Sequence, residues 1–177
     1  MDYWRDTVSS ANVSGLTQYE VLNILKRDDA NFLEGFFYDS DKGHFYESAG
    51  LYGESKIQVL QLNEDSLLQD KTHMYQLPSQ YFGEGLAPRS DSEFALLTYK
   101  SRKIFTVDRD TMQMLNTSYE IPSQLVEGWG FTADENTEVS PSYYRMYASD
   151  GTSKIYVIDG RSMKVIDTIR VTMNGRQ

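Results

Sequence analysis

At 177 residues the chain is long enough for one domain with a sizeable core and short for two large ones. Its 40% hydrophobic and 13% aromatic content, with 13 Tyr against 8 Phe and 2 Trp, indicates a folded, mostly β protein rather than a disordered one. A formal charge of −9 argues against a nucleic-acid backbone or an anionic membrane as partner, and the absence of Cys excludes disulfides, thiolate zinc sites and a thiol nucleophile.

Residues 1–18 are polar and patternless, with Ser9, Ser10, Ser14 and Gly15 clustered, and are expected to form a flexible arm ahead of a domain over 19–177. The start, Met1-Asp2-Tyr3-Trp4-Arg5-Asp6, lacks the basic and apolar regions of a signal peptide. No run approaches the roughly 20 apolar residues of a membrane span. His44 and His73 are too few for a histidine-rich metal site and read as structural residues; no metal or other cofactor is expected. The sequons at Asn12 and Asn116 are short enough to arise by chance.

Tyr19–Leu25 reads as a buried strand ended by the charged loop Lys26-Arg27-Asp28-Asp29. Three similar units follow. A Glu-Gly-apolar step opens each, at Glu34, Glu84 and Glu127, spaced 50 and 43 residues apart (34 to 84, 84 to 127). A second marker, Lys-Ile, recurs at Lys56, Lys103 and Lys154, spaced 47 and 51 apart (56 to 103, 103 to 154). Two independent markers at one period of about 40 to 50 residues indicate propeller blades.

Each unit divides into four short strands. The first runs Gly35–Tyr38, His44–Ser48, Ser55–Leu62 and Thr72–Leu77, and the second Gly85–Pro88, Phe94–Tyr99, Lys103–Asp108 and Gln113–Glu120. The third runs Gly128–Thr132, Tyr143–Ser149, Ser153–Asp159 and Lys164–Val171, with its extra length, Ala133–Ser142, expected as a surface insertion. By register Tyr19–Leu25 is the outer strand of a further blade. A closed ring needs at least four blades, so three units predict an open, all-β, propeller-like arc whose unpaired blade edges favour self-association.

Phe82-Gly83-Glu84-Gly85-Leu86 is the strongest candidate for chemistry, because the glycines let the backbone aim a carboxylate beside an aromatic ring. Partial desolvation there raises a glutamate toward a useful proton-transfer range. The plainer alternative is that Glu-Gly is only a blade-opening turn, as its echoes at Glu34 and Glu127 suggest.

In order, Phe32 to Gly35, Tyr46-Glu47-Ser48-Ala49-Gly50-Leu51-Tyr52-Gly53, the Glu84 stretch, Leu97-Thr98-Tyr99-Lys100, Glu127-Gly128-Trp129-Gly130-Phe131-Thr132 and Ser149-Asp150-Gly151-Thr152 resemble the plant and bacterial glutaminyl-peptide cyclotransferase family, a five-bladed propeller. The resemblance covers residues 19–177 and implies a metal-independent acyltransferase acting on peptides or proteins with N-terminal Gln. The product is pyroglutamate and the leaving group ammonia. It implies Glu84 as the catalytic glutamate, with Phe32, Glu34, Phe82, Tyr99 and Trp129 at substrate-binding positions. Glu34 stands where the family has Gln, and Tyr99 where it has Trp. Family members are commonly secreted or endomembrane proteins.

The family pattern continues beyond the point matching Gln177, where an asparagine, a tryptophan and a lysine complete its pocket. The resemblance therefore implies a C-terminally truncated set of blades with an incomplete polarising apparatus. An alternative follows: a non-catalytic module that holds peptide N-termini between Glu34 and Glu84.

Overall fold

The computed structural model describes residues 26–27, 31–62 and 66–172. The expected arm over 1–18 and strand over Tyr19–Leu25 lie outside them. Thirteen strands are present: β1 Lys26–Arg27, β2 Leu33–Asp39, β3 His44–Ala49, β4 Lys56–Leu62, β5 Ser66–Gln76, β6 Gly83–Pro88, β7 Glu93–Thr98, β8 Lys103–Asp108, β9 Met114–Glu120, β10 Phe131–Ser140, β11 Tyr143–Ser149, β12 Lys154–Asp159 and β13 Lys164–Arg170. Among the described residues there is no helix, and so none long and apolar enough to cross a membrane.

Three antiparallel meanders, β2–β5, β6–β9 and β10–β13, form the blades, and β6 packs between β2 and β10 to make an arc rather than a closed ring. Strand β7 explains the arc. Successive side chains of a strand point to opposite faces, so Phe94 and Leu96 enter one core with Tyr46, Ile57 and Leu86, while Ala95 and Leu97 enter a second with Met146, Ala148 and Ile158. Each fully buried Leu, Ile or Phe contributes about 1.5–3 kcal/mol. The middle blade is therefore held on both faces, and β6 is buried along its whole length.

The Val-Asp and Ile-Asp sequences end the third strand of the last two blades because the aspartate caps the turn that follows. Asp108 Oδ1 accepts from Asp110 N at 3.0 Å and Thr111 N at 2.8 Å; Asp159 Oδ1 accepts from Arg161 N at 3.0 Å and Ser162 N at 2.7 Å.

The structure differs from expectation in four places. Strand β5 begins at Ser66, six residues ahead of the expected Thr72. Lys26-Arg27 does not end the pairing: it adds a strand parallel to β5, Lys26 opposite Ser66, at the outer edge of the first sheet. The segment Ala133–Ser142 is not a loop insertion, since β10 continues to Ser140 against β11 and absorbs the extra length in irregularities between Asp134 and Ser140. There Asp134 accepts from Asn136 N at 3.1 Å and Thr137 Oγ1 at 2.6 Å, closing a local turn inside the strand. The third Glu-Gly step does not open its blade, because β10 starts at Phe131, four residues beyond Glu127.

Candidate active site

Glu34 is the second residue of β2 and Glu84 the second of β6. Their registers match: Gly50 N donates to Phe32 O at 2.8 Å, and Tyr99 N donates to Phe82 O at 3.1 Å. Phe32-Leu33-Glu34-Gly35 and Phe82-Gly83-Glu84-Gly85 thus occupy one post in neighbouring blades. The glycine after each glutamate is required by close approach. A Cβ on Gly35 would lie 2.5 Å from Leu86 N, and one on Gly85 would lie 2.4 Å from Phe131 N. Ser48 Oγ donates to Glu84 O at 2.5 Å, fixing the backbone beneath the carboxyl.

The Glu34 and Glu84 carboxyls lie within each other's reach, where they can share a hydrogen bond only when one of them carries a proton. Glu84 is only 8% exposed. Burial, then the charge of Glu34, the bond to Glu34 and the charge of Glu127 push its pKa up to about 8. Burial raises Glu34 as well, partly offset by its bond to Glu84. A buried carboxyl that exchanges a proton near neutrality can both accept from an amine and donate to a leaving group.

Aromatic rings wall this pair. Phe82 is the hub, with centroids of Phe32 at 6.1 Å, Tyr52 at 5.5 Å and Tyr99 at 5.8 Å. Gly50 makes the arrangement possible: a Cβ there would fall 2.3 Å from Phe82 Cε1 and 3.1 Å from Glu34 Cγ. Lys100 Nζ sits 4.9 Å from the Tyr99 ring centroid.

Trp129 reaches the site differently from the other expected residues. Its carbonyl accepts from Gly85 N at 3.0 Å, and its ring lies over Gly151, where a Cβ would come within 2.9 Å of the indole. Its Nε1 donates to Glu127 Oε2 at 3.2 Å. Of the residues expected from sequence, Phe32, Glu34, Phe82, Glu84 and Tyr99 come together directly, and Trp129 joins through the backbone of Gly85.

Tyr52 and Glu127 are additions. Tyr52 lies within the stretch Tyr46–Gly53 that carries the family resemblance and is legible there; Glu127 stands out as an echo of Glu84, but nothing in one sequence shows that its charge bears on Glu84. Among the described residues, no group of three or more His, Asp or Glu side chains is placed to hold a metal ion.

A family model for glutamine cyclotransferase matches residues 4–177. The chain belongs to the glutamine cyclotransferase family. It is 27% identical over 162 residues to the glutaminyl-peptide cyclotransferase of Arabidopsis thaliana, a match covering 92% of this chain and 45% of the relative. Its fold is similar to the crystal structure of Myxococcus xanthus glutaminyl cyclase, with a TM-score of 0.62 and 22% identity over 82% of this chain and 53% of that one. The WD40 repeats of RRP9 share the propeller arrangement at a TM-score of 0.52 and 12% identity, over 81% of this chain and 40% of that one. The chain thus spans about half the length of the cyclotransferase relatives it matches.

Proposed function

We propose that the site binds peptides bearing an N-terminal glutamine and cyclises them to pyroglutamate, with Glu84 moving the proton. The α-amine nitrogen forms a bond to the side-chain amide carbon, the bond from that carbon to the amide nitrogen breaks, and ammonia leaves. Net, one proton passes from the attacking nitrogen to the departing one. Glu84 can carry it because its pKa of about 8 lies close to the roughly 7.7–8.0 of an α-amino group, so transfer in either direction is nearly level.

The observation that carries this reading is a buried glutamate, 8% exposed and raised to about 8, beside Glu34 and where the sequence resemblance implies a catalytic glutamate. Phe32, Phe82 and Tyr99 supply apolar faces that fold the glutamine side chain back toward its own amine. The test is mass-spectrometric: a Gln-initiated peptide should lose ammonia, and Glu84→Gln should abolish the loss. Equal turnover by wild type and Glu84→Gln would reject the role given to Glu84.

The influence of Glu34 and Glu127 on Glu84 favours a second reading, recognition of an α-ammonium without turnover, because an acidic site beside aromatic faces suits a cation. In that case calorimetric binding of short peptides disappears on N-terminal acetylation, and no product forms.

A further inference from the structure

The two connections between blades begin alike and end differently. Leu77-Pro78-Ser79-Gln80 opens the first and Ile121-Pro122-Ser123-Gln124 the second. Tyr81 N donates to Pro78 O, and Leu125 N to Pro122 O, both at 3.0 Å. Leu77 N donates to Ser55 O at 2.8 Å, and Ile121 N to Arg102 O at 2.9 Å, so Ser55 and Arg102 stand at equivalent posts just before the third strands of their blades. From Leu77 the chain takes nine steps (86 − 77) to Leu86, whose N faces Gly35 of the preceding blade; from Ile121 it takes ten (131 − 121) to Phe131, whose N faces Gly85 in the same way. The second connection is therefore one residue longer, and it carries Glu127 and Trp129.

The two posts hold their connections by different means. Ser55 Oγ accepts from Gly83 N at 3.0 Å, one bond directly ahead of Glu84. Arg102 spans a wider path: Nη1 donates to Leu125 O at 2.9 Å and Val126 O at 2.8 Å, and Nη2 to Ile121 O at 3.0 Å and Pro122 O at 3.3 Å. On the other side, Val126 N donates to Asp150 Oδ2 at 3.0 Å. The backbone is thus tied immediately before Glu127. After it, a Cβ on Gly128 would fall 2.6 Å from Thr98 O, and Trp129 O accepts from Gly85 N.

We infer that Arg102 is a positioning residue for peptide binding: its guanidinium, spread over four carbonyls, sets where Glu127 and Trp129 stand against Glu84. The inference rests on the peptide-N-terminus reading of the site. A planar fork with donors on both terminal nitrogens can span these carbonyls, whereas a lysine ammonium is a point donor and cannot reproduce the geometry. Ser55 makes a single side-chain bond to its connection, and a serine in place of Arg102 cannot span four carbonyls.

The test uses Arg102→Ser, the residue found at Ser55 and Ser153, and Arg102→Lys. A Trp4→Phe background leaves Trp129 as the single indole. Arg102→Ser should raise KM, or Kd by calorimetry, for a Gln-initiated peptide about tenfold or more, with kcat within about threefold, because misplaced binding groups weaken capture of the substrate. Arg102→Lys should recover less than half of that loss, and acrylamide quenching of Trp129 should increase in both. A merely structural role lowers the active fraction and leaves KM unchanged, as a remote core variant such as Met112→Ala should do.

Wild-type KM and wild-type Trp129 quenching in Arg102→Ser overturn the inference, as does a loss confined to the active fraction. Should Arg102→Ser fail to fold, Arg102→Lys decides by the same two readouts. If wild type neither cyclises nor binds the peptide, the reading of the site fails, and Trp129 quenching still decides whether Arg102 positions this segment.

Discussion

Buried acidic residues lie at both ends of the inner strands, and their counter-charges differ. Glu34 and Asp39 are five residues apart on β2, roughly 17 Å along an extended strand. At the Glu34 end, burial raises Glu84 and the neighbouring carboxylates of Glu34 and Glu127 raise it further. At the other end, burial would raise Asp39, but Arg109, bonded to Asp39 Oδ2 at 2.6 Å, and the backbone N–H groups of Lys42 and Asp41 outweigh it and hold the carboxyl below its ordinary value. Arg109 itself is 7% exposed, packs over Phe94 and Phe37, donates to Ser90 O at 3.0 Å and lies 3.8 Å from Glu135 of β10, so it ties three blades together. Similar burial leaves a carboxyl below its ordinary pKa where a cation answers it and above it where another carboxylate does.

The largest predicted effect breaks the paired end. Arg109→Met leaves Asp39, 3% exposed, without its cation, and should cost about 3–5 kcal/mol in urea denaturation. Adding Asp39→Asn should recover much of that loss, since an apolar or neutral pair replaces a broken ionic one at little cost. A single-variant cost below about 1 kcal/mol would mean that Arg109 is not the tie between blades.

The two ends should also respond to pH with opposite sign. Asp39, lowered from 3.8, contributes stability above its unfolded value and loses it as pH falls through the folded one. Glu84, raised from 4.5 to about 8, contributes stability that is fully present below pH 4.5 and lost as pH rises toward 8. Melting temperature should therefore decline between these values, and Glu84→Gln should flatten the decline, stabilising the fold at pH 8 by on the order of 2 kcal/mol. Glu34→Gln has a smaller effect of the same sign: it removes the charge that raises Glu84 and offers an amide N–H to the carboxylate, so the group titrates closer to the ordinary carboxylate range. An unchanged pH–stability curve in both variants would break the contrast between the ends.

Much of this was legible from the residues, and the failures share one cause. Lys103–Asp108 and Tyr143–Ser149 are strands as expected, because alternation and a capping aspartate are local signals. The family resemblance implied that Glu34 and Glu84 share a site, and the structure gives both residues the same register in neighbouring blades. The third Glu-Gly step misled because a matching dipeptide says nothing about hydrogen-bond register. The better ruler is the pair Leu77-Pro78-Ser79-Gln80 and Ile121-Pro122-Ser123-Gln124: seven residues beyond their first members stand Glu84 and Gly128, so the third Glu-Gly step is out of line with the second. Likewise the polar run after Phe131 hid a strand, since its irregular register spoils the two-residue alternation. Asp39 and Arg109 lie 70 residues apart and meet only because neighbouring blades stack, which no local pattern encodes.

The smallest effect tests how far the paired end extends. Tyr144 donates its hydroxyl to Asp91, and burial followed by that bond and the charge of Asp91 pushes the phenol up. Both residues line a cavity of about 150 Å³ with Asp39, Arg109 and Glu135. Unlike Asp39, Asp91 is exposed, so water can replace the hydroxyl once it is gone. Tyr144→Phe should therefore cost only about 1 kcal/mol, a fraction of the Arg109→Met effect. A cost as large as that of Arg109→Met would show that Asp91 belongs to the buried ionic unit and that the paired end reaches to the mouth of the cavity. The predicted small value confines that unit to Asp39 and Arg109, where burial is deepest.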